Sequence, residues 1–375
     1  MDDRSYLALG IMSGSSLDGM DLALCRIVLH GSTDRTGSPD ATLVRSFEVL
    51  EADTLPYSEL WQRRLKNLPE QDALNFAKTH TYFGHLTADF VRQFLQRTDL
   101  RPDLIASHGH TVFHDPERRL SIQIGDGAAT AALTGIPTIT QFRTQDIALD
   151  GEGAPIVPLF ERCVLPEYDL FLNLGGIANL TYREPNGTVR AMDLTGANQP
   201  LNALAAQLDL PYDEGGRIAA TGTLLPELLA QLDGQPYFQK PAPKSLGNDW
   251  VVRRLILPAL NFPAPIPDKL RTVTEHIARQ IAAPLAKLVR GKEQRLLVTG
   301  GGAYHTFLLD RLRANLEESN TPVRVEVGSD VLVSYKEAML MAFLGVLRVE
   351  KIPTVLHSVT GARRATVNGA IYHGS

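Results

Sequence analysis

The stretch Gly10–Leu24, GIMSGSSLDGMDLAL, decides how the fold is read. An apolar run stops at a loop of small residues, two aspartates sit in or beside that loop, and the apolar run resumes. A plain turn between two strands needs one glycine or one Asn-Gly pair. This one has Gly14, Ser15, Ser16 and Gly19, with Asp18 and Asp21 among them. Small residues let a backbone approach something outside the protein, and successive backbone N–H groups attract an anion. The carboxylates contradict a bare anion site unless a cation sits between them and the ligand.

Outward from the loop, Tyr6–Met12 and Met20–Leu29 read as a hairpin. Short apolar segments rich in β-branched residues alternate with helical patterns along the chain, which indicates α/β architecture. Leu104–Ser107 and Leu120–Ile124 read as strands that run into SHGHT and GDG. Helices are expected over Glu59–Leu65, Ala73–Leu95 and Gly127–Leu133. The second half repeats the theme: YDLFLNLGGIANLTY (Tyr168–Tyr182) is again an apolar run, a small-residue loop and an apolar run, followed by the strand-like TVRAMDL. Helices follow at Pro200–Leu208 and Leu270–Val289. RLLVTGGGAYHTFLLDRL (Arg295–Leu312) reads as a buried strand, three glycines and a helix. This recurrence suggests a duplicated topology without a repeat of fixed period.

At 375 residues the chain has room for two domains, each with its own core. A net charge of −5 argues against a non-specific nucleic-acid binder, which is usually basic. Two cysteines, Cys25 and Cys163, are too few for a disulfide framework, and both are expected reduced and buried. No apolar run approaches the ~20 residues a bilayer requires. Glu337–Val349 comes nearest, and it reads better as a buried core helix. MDDRSYLALG has no basic segment followed by a long apolar one, so a cytoplasmic protein without membrane contact is expected.

Three glycine-rich turns follow apolar strands: Gly14–Gly19, Gly175–Gly176 and Gly300–Gly302. None fits the P-loop pattern, and none completes G-x-G-x-x-G with an acidic residue ~20 positions on. No G-x-S-x-G elbow surrounds Ser13, Ser15 or Ser16, which disfavours an α/β-hydrolase. Asp18, Asp21 and Asp193 form a second set. A Mg²⁺ held through water by carboxylates near a phosphate loop would reconcile acidic side chains with an anionic ligand. Asp193 follows the strand TVRAM, where a carboxylate is well placed as a general base. The alternative for each aspartate is a helix cap or turn. His108, His110 and His114 invite a zinc reading, but no nearby cysteine or carboxylate completes a ligand set. A polar loop lining a substrate site suits SHGHTVFH better. QFRTQDIALDGEGAP packs Arg143, Asp146, Asp150 and Glu152 beside glycines, which suits a sugar-like ligand or a solvated loop.

These motifs, in this order, resemble the anhydro-N-acetylmuramic acid kinases of the sugar-kinase, heat-shock-protein and actin superfamily. GIMSGSSLDGMD, SHGHTVFH, QIGDG, FRTQDIALDGEGAPIVP, LNLGGIANLTY, PKSLG, VTGGGAY and SVTGARRATVNGAIY carry the likeness. It implies an α/β fold of two ribonuclease-H-like (actin-like ATPase) domains around a central cleft. Residues 1–135 plus 357–375 would form the first domain and 136–356 the second. It implies ATP as co-substrate. Gly14, Ser15, Ser16, Leu17, Asp18, Gly19, Met20 and Asp21 would be the first phosphate loop, Gly175, Gly176 and Asn179 the second, and Gly300, Gly301 and Gly302 the adenosine motif. Asp18 would help hold Mg²⁺, Asp193 would be the catalytic base, and His108, Gln123, Asp126, Arg143, Asp146, Asn198 and Glu337 would meet the sugar. The implied reaction opens a 1,6-anhydro ring with water and phosphorylates O6 within cell-wall recycling, in a homodimer. A related kinase for another sugar, or a non-catalytic anhydro-sugar sensor, are the alternatives. The chain departs from the resemblance in FRTQD, which lacks two of the usual arginines beside Arg143, in DGEGAP, which adds Asp150 and Glu152, and in DLTGAN after the base.

Overall fold

The computed structural model describes residues 2–14, 16–31, 39–184, 186–242, 244–289 and 291–374. In chain order its strands are β1 (Arg4–Ser13), β2 (Gly19–Leu29), β3 (Val44–Pro56), β4 (Leu104–Asp115), β5 (Leu120–Ile124) and β6 (Thr138–Thr140). They continue with β7 (Leu170–Leu174), β8 (Ile177–Arg183), β9 (Val189–Gly196), β10 (Gln294–Thr299), β11 (Val323–Val327) and β12 (Ala370–Tyr372). The chain divides into two compact units, residues 1–166 with 335–375, and residues 167–334.

In the first unit the sheet order is β12-β6-β4-β1-β2-β3, with β5 on β4. β1, β2 and β3 are antiparallel neighbours, and β4 and β6 then run parallel to β1. Helix Ala73–Leu95 covers this sheet. Asp72 starts it by accepting the Asn75 amide at 2.8 Å, and Phe83, Ala88, Val91 and Phe94 form its buried stripe at helical spacing. Burial of each large apolar side chain there contributes about 1.5–3 kcal/mol. Helix Asp330–Val349 passes close enough to β1 that a Cβ on Gly10 would overlap the Ala338 carbonyl oxygen and sit 2.5 Å from the Ala342 amide.

The second unit repeats the topology. Its sheet runs β11-β10-β7-β8-β9, with β7, β8 and β9 antiparallel and β10 and β11 parallel to β7. Helix Ile266–Leu288 is buried along Leu270, Val273, Ile277, Ala278, Ile281 and Leu285, so it is a core helix. Each unit thus has three antiparallel strands followed by two parallel ones, the ribonuclease-H-like arrangement of actin-like ATPases. The duplicated theme read from the sequence is a duplicated sheet topology.

The unit boundaries differ from the expected 135/136 and 356/357. β6 pairs with both β4 and β12, and Phe160 of helix Val157–Val164 packs edge-on against Phe47 and Phe343. These contacts hold residues 136–166 and 335–356 in the first unit. SHGHTVFH is also corrected: it lies within β4, a strand paired on both sides, rather than in a loop. Cys25 and Cys163 are both buried, as expected. Among the described residues no helix is long and apolar enough to cross a membrane.

Candidate functional site

In the first unit the β1–β2 connection begins at Gly14. Ser15 lies outside the described residues. Asp18 folds over the turn, accepting the Ser16 hydroxyl at 2.6 Å and the Gly19 amide at 2.9 Å. Leu17 adopts φ +60°, a left-handed conformation that tightens the turn. Gly19 is required by close approach, because a Cβ there would lie 2.6 Å from the Leu55 carbonyl oxygen. Met20 is fully buried, so only its backbone borders the turn. Asp21 accepts the Thr54 hydroxyl at 2.6 Å. Its carboxyl is pushed up to about 6, chiefly by burial and further by the charges of Asp18 and Glu337, against the Thr54 hydrogen bond. Asp18, Asp21 and Glu337 therefore face a common region, with Glu337 exposed on its helix.

β4 supplies the next group. Gly109 has φ +72°, and a side chain there would strike the Ile124 carbonyl oxygen of β5. The glycine lets the strand bend where His108 and His110 flank it. Arg143 Nε donates to His108 Nε2 at 2.9 Å, and His108 Nδ1 lies 3.0 Å from the Gly109 carbonyl oxygen. Because a carbonyl only accepts, the ring proton is on Nδ1 and Nε2 receives the arginine. Burial and the Arg143 charge push this imidazole down to about 3, so it is neutral. His110 belongs to another chain: the Tyr57 hydroxyl donates to Ser13 Oγ at 2.7 Å, which lies 3.1 Å from His110 Nδ1. His114 Nδ1 meets Ser121 Oγ at 3.0 Å. The three histidines have three separate partners.

Other expected sugar residues have internal work. Asp126 caps helix Gly127–Thr134 by accepting the Ala128 amide at 2.9 Å. Asp146 is fully buried, accepts the Gly153 amide and the Thr360 hydroxyl, each at 2.8 Å, and its own amide donates to Asn368 Oδ1. It ties the segment after Arg143 to the C-terminal strand region and faces no open surface. Gln123, half-buried on β5, donates to Ser121 Oγ at 2.9 Å. Arg143 and Glu337 do come together, since the Glu337 carboxylate acts on the buried guanidinium.

In the second unit the two glycine turns pack against one helix start. The Ala197 amide donates to the Gly176 carbonyl at 2.8 Å, and the Asn198 amide to the Gly175 carbonyl at 3.0 Å. Asn198 Nδ2 donates to the Leu174 carbonyl at 3.0 Å. Gly302 must be glycine, because a Cβ there would lie 2.7 Å from both Asn198 Oδ1 and Leu174 Cβ. Gly300 has φ +79°. Asn198, Gly175, Gly176 and Gly300–Gly302 are thus one construction, with Asn198 serving the turns.

Asp193 sits on β9 opposite Asn179 of β8, which is opposite Asn173 of β7. Directly opposed residues share a sheet face, so three polar side chains line one row. The Asp193 carboxylate accepts the Leu246 amide at 2.9 Å, its own amide donates to the Lys244 carbonyl at 2.9 Å, and its carbonyl receives the Tyr237 hydroxyl at 2.9 Å. With its main chain tied at both the amide and the carbonyl and its carboxylate held by a backbone amide, Asp193 is preorganised. Its neighbours, Asn173, Tyr237, Lys244 and Leu246, escaped the sequence reading as site residues. PKSLG stood out in the sequence, but nothing there linked it to a residue some fifty positions earlier.

A family model described as anhydro-N-acetylmuramic acid kinase matches residues 6–374. The chain belongs to this family. A Vibrio cholerae protein named anhydro-N-acetylmuramic acid kinase is 33% identical, over 98% of this chain and 98% of its own. Proteins of that name from Gloeobacter violaceus and Bordetella pertussis are each 34% identical, covering 98% of this chain and 98% and 96% of their own lengths. The glycine turns follow the ends of β1, β7 and β10, and Asp193 lies on β9. Among the described residues no group of three or more His, Cys, Asp or Glu side chains could by itself hold a metal ion. The charges of Asp18 and Glu337 both raise the Asp21 carboxyl, and carboxylates of this kind are the donors a hydrated Mg²⁺ would take.

Proposed function

We propose that this chain is an ATP-dependent kinase that hydrolytically opens 1,6-anhydro-N-acetylmuramic acid and phosphorylates O6. The products are N-acetylmuramic acid 6-phosphate and ADP, within cell-wall recycling. The observation that carries this reading is the Asp193 carboxylate, fixed by the Leu246 amide beside the glycine turns of a family member.

Asp193 takes a proton from water as it adds to the anomeric carbon, as the base of an inverting glycosidase does. The O6 that leaves C1 takes up the γ-phosphoryl group, so its developing charge passes to phosphorus. Backbone amides at Gly14–Gly19 and Gly175–Gly176 orient the phosphates, and positioning with electrostatics supplies most of the acceleration. Asp18, with Asp21 and Glu337 near it, would hold Mg²⁺, which neutralises charge on the transferring phosphoryl group. Arg143, oriented by the neutral His108, offers its remaining N–H groups to the lactyl carboxylate of the sugar. Gln123 is a further donor to the sugar. The reading includes a cytoplasmic homodimer, and sedimentation at micromolar concentration tests the dimer.

The deciding experiment supplies ATP, anhydro-sugar and ¹⁸O-water. Label at C1 of a phosphorylated product is expected. Phosphorylation without label would leave a simple hydroxyl kinase, and no ADP on adding the sugar would leave a binding protein. Asp193→Asn is expected to collapse kcat with little change in the ATP KM, and near-normal turnover would remove Asp193 from its role.

A further inference from the structure

A buried polar chain lies beneath the strand that carries Asp193. His276, on helix Ile266–Leu288 and almost fully buried, places Nδ1 2.6 Å from Asp233 Oδ1 and Nε2 3.1 Å from Thr195 Oγ1. Gln280 Nε2 adds a bond to the same Asp233 oxygen at 2.9 Å. A carboxylate accepts, so His276 donates from Nδ1, while Nε2 on the far side of the ring pairs with the Thr195 hydroxyl. The order Asp, His, hydroxyl is that of a hydrolase triad. Thr195 is fully buried, however, and offers no nucleophile to a substrate.

What the chain holds is a bulge. β8 residues Ala178 and Asn179 are consecutive, yet they pair with Thr195 and Asp193, so β9 carries one extra residue, Leu194. Consecutive β8 residues point to opposite faces, and their opposed partners do likewise. Thr195 therefore faces the core beside fully buried Ala178, and Asp193 faces the other way beside Asn179. Bulges next to active sites re-aim side chains in this manner. The short segment after Asp233 ties both sides together. Phe238 packs against the His276 ring at 5.2 Å between centroids, and its neighbour Tyr237 donates to the Asp193 carbonyl.

We propose that His276, oriented by Asp233, is a positioning residue that acts through Thr195 to lock the β9 bulge and so aim the Asp193 carboxylate. The inference rests on Asp193 being the base of the proposed reaction. Loss of the lock lets the carboxylate wander by a fraction of an ångström to an ångström, and displacement of that size costs up to about a hundredfold in rate.

The test measures kcat and both KM values with thermal unfolding for Thr195→Val, Asp233→Asn, Thr195→Ser and Asp193→Asn. Thr195→Val and Asp233→Asn are each expected to lower kcat roughly ten- to hundredfold with ATP KM unchanged. Their combination is expected to be no worse than either alone, and Thr195→Ser, which keeps the hydroxyl, to recover most of the rate. In an Asp193→Asn background Thr195→Val should cost nothing more. Wild-type kcat in Thr195→Val or in Asp233→Asn overturns the proposal, as does a loss that Thr195→Ser shares or that follows the fraction unfolded. If Thr195→Val does not fold, the Asp233→Asn result decides alone. Turnover retained by Asp193→Asn overturns the base assignment. Collapse of that variant beside an active Thr195→Val overturns only the positioning role.

Discussion

Glu275 should govern much of the acid stability of the second unit. Its side chain is 3% exposed and lies among Arg271, Arg279, Arg311 and Asn315. Arg311 Nε donates at 2.6 Å, Asn315 Nδ2 at 3.0 Å and Arg271 Nη1 at 3.1 Å. Burial alone would raise this carboxyl. The donors, Arg311 foremost, override it and bring it from 4.5 down to about 2. By linkage, a carboxylate whose folded value lies below its unfolded one stabilises fully above the unfolded value, and the gain is lost as pH falls through the folded one. A shift of this size corresponds to about 3 kcal/mol, present above about pH 4.5 and fading towards pH 2. Glu275→Gln mimics the protonated carboxyl and leaves the arginines facing one another. It should therefore cost about 3 kcal/mol at pH 7, or roughly 6–12 °C in the melting of a unit of this size. The assay is thermal or urea unfolding of both proteins from pH 7 to pH 3, read as the difference between them. That difference should be largest at neutral pH and narrow on the acid side. A Gln variant as stable as wild type at pH 7, or a difference that does not narrow with acid, refutes the reasoning.

Gly10→Ala should destabilise the first unit by at least about 1–3 kcal/mol, since its Cβ collides with backbone of helix Asp330–Val349; an unchanged melting temperature would show that the helix can move away. Arg143→Met should raise the sugar KM roughly ten- to hundredfold while leaving the ATP KM alone, the worth of one charged hydrogen bond, and equal effects on both substrates would contradict that assignment. His108 should remain neutral with its proton on Nδ1 in ¹⁵N spectra down to pH 5. Its folded value lies below the ordinary 6.5, so its contribution to stability is complete above about 6.5 and declines as pH falls below it. An imidazolium signal at pH 5 would refute the burial argument.

Much of the fold could be read from local pattern. The Gly10–Leu24 hairpin, helix Ala73–Leu95 and helix Ile266–Leu288 follow from apolar spacing, because a buried stripe repeats at the period of its element. β3 was missed. Its residues mix charged and apolar side chains, as an edge strand allows, and its partner β2 identifies it rather than its own composition. SHGHTVFH resembled a loop because its polar residues are many, yet each histidine finds a specific partner within or beside β4.

The site divides in the same way. Sequence alone determined that three glycine turns follow buried strands and that carboxylates accompany the first, because close backbone approach and charge are properties of residue type; Asp193, expected just after a strand, lies within β9, which runs on to Gly196. Tertiary structure decided which acids are used up. Asp126 and Asp146 look no different from Asp18 and Asp193 in the sequence, but Asp126 caps the helix that follows it, and Asp146 is held by the Gly153 amide and by a Thr360 hydroxyl that the fold brings from the far end of the chain. It also decided where Asp193 points. The bulge in β9, with Thr195 bonded to His276 on the core side and Asp193 bonded to the Leu246 amide on the other, sets that direction, and such a register exists only once separate strands and helices have met.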